Sequence, residues 1–142
     1  MIYLDSSYLV RLYYKDPGFE AVRRLAATDT VACAQHGQAE VITALHRKVR
    51  ERSLPNNFYR IALREFANEI DANAFNWLPL SQAVFDRLHF VFARLPATVF
   101  VRAADAMHLS AAAENGFGEI YSNDLNLLQA APHFGLRGLN VI

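Results

Sequence analysis

Short apolar runs alternate with longer helical patterns along the whole chain, and this alternation restricts the fold more than any other feature. The runs "MIYL", "TVACA", "AFNWLPL", "GEIYS" and "LRGLNVI" have the length and composition of buried strands. Between them, apolar residues recur every three or four positions, which predicts helices. Strands that alternate with helices pair in parallel and are covered on both faces. We therefore expect an α/β fold with three α/β/α layers and a mainly parallel central sheet of about five strands.

The helical periodicity predicts seven helices and no linker, repeat or low-complexity tract between them. The segments expected to be helical are 6–14, 19–27, 35–52, 56–71, 81–94, 102–116 and 124–131. In the fifth segment, Val84, Phe85, Leu88 and Phe92 share a stripe that we expect to face inward. A chain of 142 residues is long enough to bury a real core, so residues 1–142 are expected to form a single domain.

Composition adds expectations about the cellular setting. Cys33 is the only cysteine, so an intrachain disulfide and a Cys-rich zinc site are excluded, and a reducing, cytoplasmic location is expected. No apolar run approaches the ~20 residues of a membrane span, and charged residues interrupt the first twenty positions, so neither a membrane segment nor a signal core is expected. The formal charge is +0, and any basic surface for nucleic acid must therefore be local.

Four acidic residues occupy equivalent places at the ends of predicted strands and the starts of helices. Asp5 follows the first strand, Asp124 follows the fourth, and Glu40 lies in the first turns of the helix after the second strand. Asp105 lies in the first turn of its own helix, with mostly apolar neighbours one turn away. Ligands of open α/β sheets bind outside the carboxyl ends of the strands, and we expect the four acids to converge there.

Each acid also has a simpler interpretation. Asp5 and Asp124 are well placed to cap helices, Asp105 to complement a helix dipole, and Glu40 to be solvated. If the four converge, their repulsion calls for a cation, because clustered carboxylates otherwise take up protons. Oxygen ligands without cysteine favour Mg²⁺ or Mn²⁺, and such ions support in-line hydrolysis of a phosphodiester with water as the nucleophile.

Four segments of the chain resemble the acidic motifs of PIN-domain nucleases in order and spacing. The segments are "YLDSSYLV", "QAEVITALHR", "RAADAMHLSAA" and "YSNDLNLL". Within that family the similarity is greatest to the VapC-like toxins of type II toxin–antitoxin systems. The resemblance implies an endoribonuclease that depends on Mg²⁺ or Mn²⁺, forms a homodimer and is blocked by the carboxyl-terminal segment of a cognate VapB-like antitoxin.

The same resemblance implies roles for individual residues. The metal-binding and catalytic acids would be Asp5, Glu40, Asp105 and Asp124. Ser6 and Ser122 match the small hydroxyl positions beside the first and last acids. The chain departs from the family pattern before the middle acid, where Gln35 and His36 stand in place of the usual hydroxyl residue.

A local basic patch for RNA is expected on the third helix. Arg47 lies seven residues after Glu40, on nearly the same helix face and about 10 Å along it. With Lys48 it is placed to hold a phosphate beyond the metal. The alternative is a solvated cationic helix end that complements its own dipole.

Other residues and functions receive weaker support. His108 follows Asp105 by three positions, but on a buried helix face we expect it to be a hydrogen-bonded core residue. An aspartyl-phosphate hydrolase needs a second acid where Ser7 stands, and a receiver domain needs a lysine after Tyr121, where the chain has none. The remaining alternative is a catalytically silent PIN-like module that binds RNA or protein.

Overall fold

Five parallel strands form the centre of the fold in the computed structural model, which describes all 142 residues. The strands are β1 (Ile2–Tyr3), β2 (Val31–Ala34), β3 (Phe75–Leu78), β4 (Glu119–Tyr121) and β5 (Arg137–Leu139). β1, β2 and β3 pair in that order, β4 pairs with β5, and a parallel bridge between Leu4 and Tyr121 joins the two groups. The spatial order is therefore β3-β2-β1-β4-β5, and the predicted parallel sheet of about five strands is confirmed.

Seven α-helices connect and cover these strands, as the periodicity predicts. They are α1 (Ser6–Tyr13), α2 (Phe19–Ala26), α3 (Gly37–Arg50), α4 (Asn56–Asp71), α5 (Gln82–Phe92), α6 (Ala103–Glu114) and α7 (Leu125–Ala130), followed by a 3₁₀ turn (Ala131–Phe134). Gly18 precedes α2 with φ of 83°, a left-handed conformation that glycine adopts without steric cost. No helix combines the length and the hydropathy needed to cross a membrane.

Two hydrophobic clusters lie on opposite faces of the sheet. Ala32 and Ala34 belong to the cluster beneath α5, α6 and α7, whereas Val31 and Cys33 belong to the cluster beneath α1 to α4. Successive strand residues point to opposite faces, so β2 contributes to both clusters. The arrangement is the predicted α/β/α sandwich.

The expectation that four residues of α5 face inward is confirmed for Val84 and Leu88 but wrong for Phe85 and Phe92. In α5 the buried residues are Val84 and Val91, while Phe85 and Phe92 are 40% and 47% exposed. Val84 and Val91 are seven residues apart and share the line of the helix that faces α6. Phe85 and Phe92 lie about 100° further round the helix axis, on a side of α5 that is partly open to solvent. With Met107 they flank a shallow apolar groove on the surface.

Candidate functional site

An open, largely polar cavity of about 710 Å³ lies at the carboxyl ends of β1, β2 and β4. Its lining includes Asp5, Ser6, Glu40, Arg47, Lys48, Asp105 and Asp124. The structure therefore brings together, in one cavity, the four acids singled out in the sequence. The cavity lies where the strand order reverses, because β1 leads to β2 on one side and lies beside β4 on the other. Open α/β sheets form their ligand crevice at such a point.

Asp5 is held at the bottom of this cavity, with only 3% of its surface exposed. It caps α1: its Oδ1 accepts the backbone N–H of Tyr8 at 3.0 Å and the hydroxyl of Ser7 at 2.7 Å. Its Oδ2 accepts the hydroxyl of Ser122 at 2.5 Å. Burial raises the pKa of Asp5 above its ordinary value although three hydrogen bonds oppose the shift. Capping and cluster membership therefore coexist, since the two carboxylate oxygens have different partners.

Asp124 repeats this arrangement at the start of α7. Its Oδ1 accepts the backbone N–H groups of Asn126 at 2.8 Å and Leu127 at 3.2 Å. Its own N–H donates to Oγ of Ser122 at 2.9 Å, and the same hydroxyl donates to Asp5. Ser122, fully buried below the cavity, thus fixes the two acids relative to one another. Ser6 lies on the cavity wall.

Asp105 is compensated by Arg102, a cation that was not expected there from the sequence. Arg102 precedes α6, and its Nε donates to Oδ2 of Asp105 at 2.9 Å while its Nη2 donates to Oδ2 of Asp124 at 2.6 Å. Hydrogen bonding to Asp105, reinforced by the charges of both acids, raises the pKa of Arg102. Asp105 is 7% exposed, whereas the Arg102 side chain is 61% exposed and reaches in from the rim. In the sequence, the spacing of three residues between Arg102 and Asp105 at the start of a helix is the pattern that could have indicated this ion pair.

Glu40 enters the cavity from the first turn of α3. The Nε2–H of His108 donates to its Oε2 at 2.7 Å, and His36 Nε2 lies 3.7 Å from the same oxygen. Burial alone raises the pKa of Glu40, but the His108 bond and the charges of both imidazoles outweigh it and hold the pKa below its usual range. Gly37 allows the start of α3 to lie close to β2 and to His108, since a Cβ there would lie 2.6 Å from Cys33 Sγ and 3.4 Å from His108 Cε1.

His108 is the hydrogen-bonded core residue that its position on α6 predicts. It is 1% exposed, and its Nδ1 lies 2.8 Å from the hydroxyl of Tyr3. Burial by itself lowers the pKa of His108, but its polar neighbours Tyr3, Cys33 and Glu40 together raise it above the usual value. The sequence did not reveal that its second nitrogen contacts Glu40, because 68 residues separate the two in the chain.

The two cations proposed for RNA contact differ in their surroundings. The Arg47 side chain is 62% exposed, and its nearest acid is Glu51, 3.8 Å from Nε. Lys48 is engaged: its Nζ donates to Oδ1 of Asp16 at 2.6 Å and lies 4.8 Å from the centre of the Tyr14 ring. Arg47 is therefore the more available of the two.

The donor set fits a hard divalent ion. Five carboxylates line the cavity and no cysteine or methionine does, which suits Mg²⁺ or Mn²⁺. The guanidinium of Arg102 already bridges Asp105 and Asp124, so these two acids accept a positive group between them. His36, Glu40 and His108 also bring one potential ligand atom each to within 4.8 Å of one another. Asp5, Glu40, Asp105 and Asp124 are the residues that could hold such an ion.

The fold is shared with solved structures of bacterial proteins. FitAcB of Neisseria gonorrhoeae is similar over 99% of this chain and 97% of its own, with 16% identity and a TM-score of 0.74. VapBC2 of Rickettsia felis, solved with a DNA fragment from its promoter, covers 100% of both chains at 16% identity and a TM-score of 0.69. VapC20 of Mycobacterium tuberculosis, a Sarcin-Ricin loop cleaving toxin, covers 96% of this chain and 99% of its own at 18% identity and a TM-score of 0.70.

Most of the chain matches one protein family model. No curated protein matches the chain significantly. The PIN domain family model matches residues 2–132, a range that includes β1 to β4, α1 to α7 and all four acids of the cavity. The order of the acidic motifs, the parallel sheet and this match agree, and the chain belongs to the PIN domain family.

Proposed function

We propose that this protein is a divalent-metal-dependent endoribonuclease that hydrolyses RNA phosphodiester bonds. The observation that carries the proposal is the convergence of Asp5, Glu40, Asp105 and Asp124 on one open cavity with cations at its rim. An Mg²⁺ or Mn²⁺ ion bound there supplies Lewis-acid polarisation of the phosphodiester and an activated water. Two findings support the proposal: the chain belongs to the PIN domain family, and one of its structural neighbours is a toxin that cleaves the Sarcin-Ricin loop.

The residues of the chain have separate tasks in this proposal. Asp5 and Asp105, the most buried acids, are the principal ligands, and Glu40 and Asp124 complete the set. Ser122 holds Asp5 and Asp124 at a fixed separation through its two hydrogen bonds. Arg47 binds a phosphate of the substrate away from the cut, where its exposed guanidinium adds an electrostatic contact.

Cleavage of total RNA by the purified protein tests this function directly. Mg²⁺ or Mn²⁺ should support cutting at discrete positions, and excess chelator should stop it. Asp105→Asn should be inactive, because it removes a carboxylate while keeping the shape of the side chain. Asp71→Asn is the matched control, since it makes the same change on the exposed end of α4, outside the cavity. Full activity of Asp105→Asn, or cleavage in chelator, would refute the proposal.

We further propose that the nuclease acts as a homodimeric toxin, that a cognate VapB-like antitoxin restrains it, and that it acts in the cytoplasm. Solved neighbours of the same fold come from toxin–antitoxin complexes, which supports this role. Expression of the chain alone should arrest growth of a bacterial host, and co-expression of the adjacent small gene should restore growth. Arrest by the Asp105→Asn variant would separate toxicity from RNA cleavage and contradict this assignment.

One observation favours the alternative of a catalytically silent module that binds RNA or protein. The guanidinium of Arg102 already compensates part of the negative charge of Asp105 and Asp124, as an internal cation does in a site that needs no metal. The two functions differ in their response to Mn²⁺. A silent module should bind RNA equally well with metal and with chelator and should leave the RNA intact.

A further inference from the structure

A buried hydrogen-bonded path leads from the middle of the sheet to the cavity. In β1, the hydroxyl of Tyr3 accepts the backbone N–H of Ala34 at 3.0 Å and lies 2.8 Å from Nδ1 of His108. The opposite ring nitrogen, Nε2, donates to Oε2 of Glu40 at 2.7 Å. Tyr3 and His108 are 0% and 1% exposed, whereas the Glu40 side chain is 30% exposed, so the path runs from buried groups to the open cavity.

The direction of the hydrogen bond between Tyr3 and His108 depends on the charge of the His108 ring, whereas that of the bond to Glu40 does not. Because Ala34 N–H occupies one lone pair of the Tyr3 oxygen, the hydroxyl proton is available to Nδ1 of a neutral His108 ring, which then carries its own proton on Nε2. A protonated ring also donates from Nε2. Glu40 therefore receives a hydrogen bond in either charge state of His108.

Packing leaves the His108 ring little freedom to turn. The Tyr3 ring meets it edge-on, with centroids 5.9 Å apart and an angle of 82°. On another side the His36 ring lies 4.2 Å away, tilted by 44°. His36 is itself anchored, since its Nε2 lies 3.1 Å from the carbonyl oxygen of Ala104. A ring held in this way presents Nε2 in one direction, towards Glu40.

We propose that His108, oriented by Tyr3, is a positioning residue for Glu40 and thereby sets the affinity of the cavity for a divalent ion. The inference rests on the proposed metal site. The bond to His108 engages one carboxylate oxygen and leaves the other for a cation, with the χ angles of Glu40 already ordered. Partners of this kind orient metal-binding carboxylates, and their loss typically lowers metal affinity by about 10–100-fold.

A double-mutant cycle on Mn²⁺ affinity tests this role. Affinity is measured by electron paramagnetic resonance for the wild type, His108→Leu, Glu40→Gln and the double variant. His108→Leu should weaken binding about 10–100-fold. In the Glu40→Gln background the same substitution should have almost no further effect, because the residue through which His108 acts is already changed. His108→Gln, which keeps an N–H donor, should restore part of the affinity.

Further variants test whether a loss of Mn²⁺ affinity is caused by general destabilisation of the fold. Leu109→Ala truncates a fully buried neighbour on the same helix without touching Glu40, and it should leave Mn²⁺ affinity unchanged. Tyr3→Phe removes only the hydroxyl and should give a smaller loss than His108→Leu. In the metal-free protein, the His108 Nε2–H resonance should move when Glu40 is changed to Gln, which reports the bond without any ion.

Two results overturn the inference: wild-type Mn²⁺ affinity in folded His108→Leu, or an equal loss from His108→Leu in both backgrounds. Neither result depends on RNA cleavage. A protein that passes this cycle and still leaves RNA intact refutes the proposed nuclease while the role of His108 stands. If instead Asp105→Asn loses RNA cleavage and the cycle shows no coupling between His108 and Glu40, the proposed nuclease stands and the role of His108 is refuted.

Discussion

At the scale of single residues, Asp5 and Asp124 each have a different partner for each of their two carboxylate oxygens. Asp5 and Asp124 cap α1 and α7 with Oδ1 and contact Ser122 or Arg102 with Oδ2. A cap needs only an acceptor, whereas a cation site needs a charge. Substitutions that separate these two requirements therefore distinguish the structural from the functional role of one side chain.

Asp5→Asn should raise the stability of the metal-free protein at neutral pH. The amide oxygen keeps the cap on Tyr8, and the cost of burying a charge disappears. Burial raises the pKa of Asp5 in the folded protein. The stability that the neutral Asp5 carboxyl contributes is therefore fully present below its ordinary pKa of 3.8 and is lost as the pH rises through the folded pKa. The advantage of Asp5→Asn over the wild type should therefore shrink on acidification to about pH 4.

Denaturant unfolding at both pH values measures this difference, and Asp5→Ala is the informative comparison. Alanine removes the cap as well as the charge, so it should be less stable than Asp5→Asn by about 0.5–2 kcal/mol. Equal stability of the two variants would show that the hydrogen bond from Tyr8 contributes nothing. An advantage of Asp5→Asn that grows on acidification would contradict the raised pKa.

If a divalent ion binds in the cavity as proposed, Arg102 should compete with it for the carboxylates of Asp105 and Asp124. Arg102→Met keeps much of the side chain but removes the guanidinium, and it should strengthen Mn²⁺ binding by about two- to fivefold, the range that an exposed ion pair of up to about 1 kcal/mol allows. The matched control is Arg64→Met on the exposed face of α4, which should have no effect. Calorimetric titration gives both values, and weaker binding by Arg102→Met would contradict the competition.

At the scale of elements, local patterns predicted more than pairings across the chain did. The alternation of apolar runs predicted all five strands and seven helices, and the positions of Asp5 and Asp124 predicted the caps. Periodicity could not tell which side of α5 lies uncovered, because Phe85 and Val84 are equally apolar. The Glu40–His108 bond was also beyond local reasoning, since it joins α3 to α6 across 68 residues of the chain.

The exposed end of α3 contains two cations with different expected effects on RNA binding. Arg47→Ala should weaken binding uniformly across sequences and lower the salt-dependence slope by about one, because it removes one phosphate contact. Lys48→Ala should mainly destabilise the fold, by about 1–3 kcal/mol, because it leaves Asp16 without its partner in a half-buried position. Fluorescence anisotropy in a salt series and thermal unfolding separate the two. A larger salt effect for Lys48→Ala than for Arg47→Ala would reverse the assignment.

At the scale of the whole molecule, a formal charge of zero hides a separation of opposite charges around one cavity. The lining contains five carboxylates and five cationic side chains; Asp5 and Asp105 are buried, whereas Arg47 and Arg102 are mostly exposed. Composition alone therefore says little about electrostatics at the site. The sheet topology concentrates the acids there, since segments distant in the chain end at one edge.

Divalent metal should stabilise the whole fold, because an ion that binds the native cavity and not the unfolded chain shifts the folding equilibrium. At a concentration of 100 times its dissociation constant the gain is about 2.7 kcal/mol. Thermal unfolding of the wild type should therefore move up by several degrees on addition of Mn²⁺ and return in chelator. Asp5→Asn combined with Asp105→Asn should start from its own midpoint and show almost no metal-dependent shift. Asp71→Asn should keep the full shift, and a shift of similar size in the double variant would mean that the ion binds elsewhere on the protein.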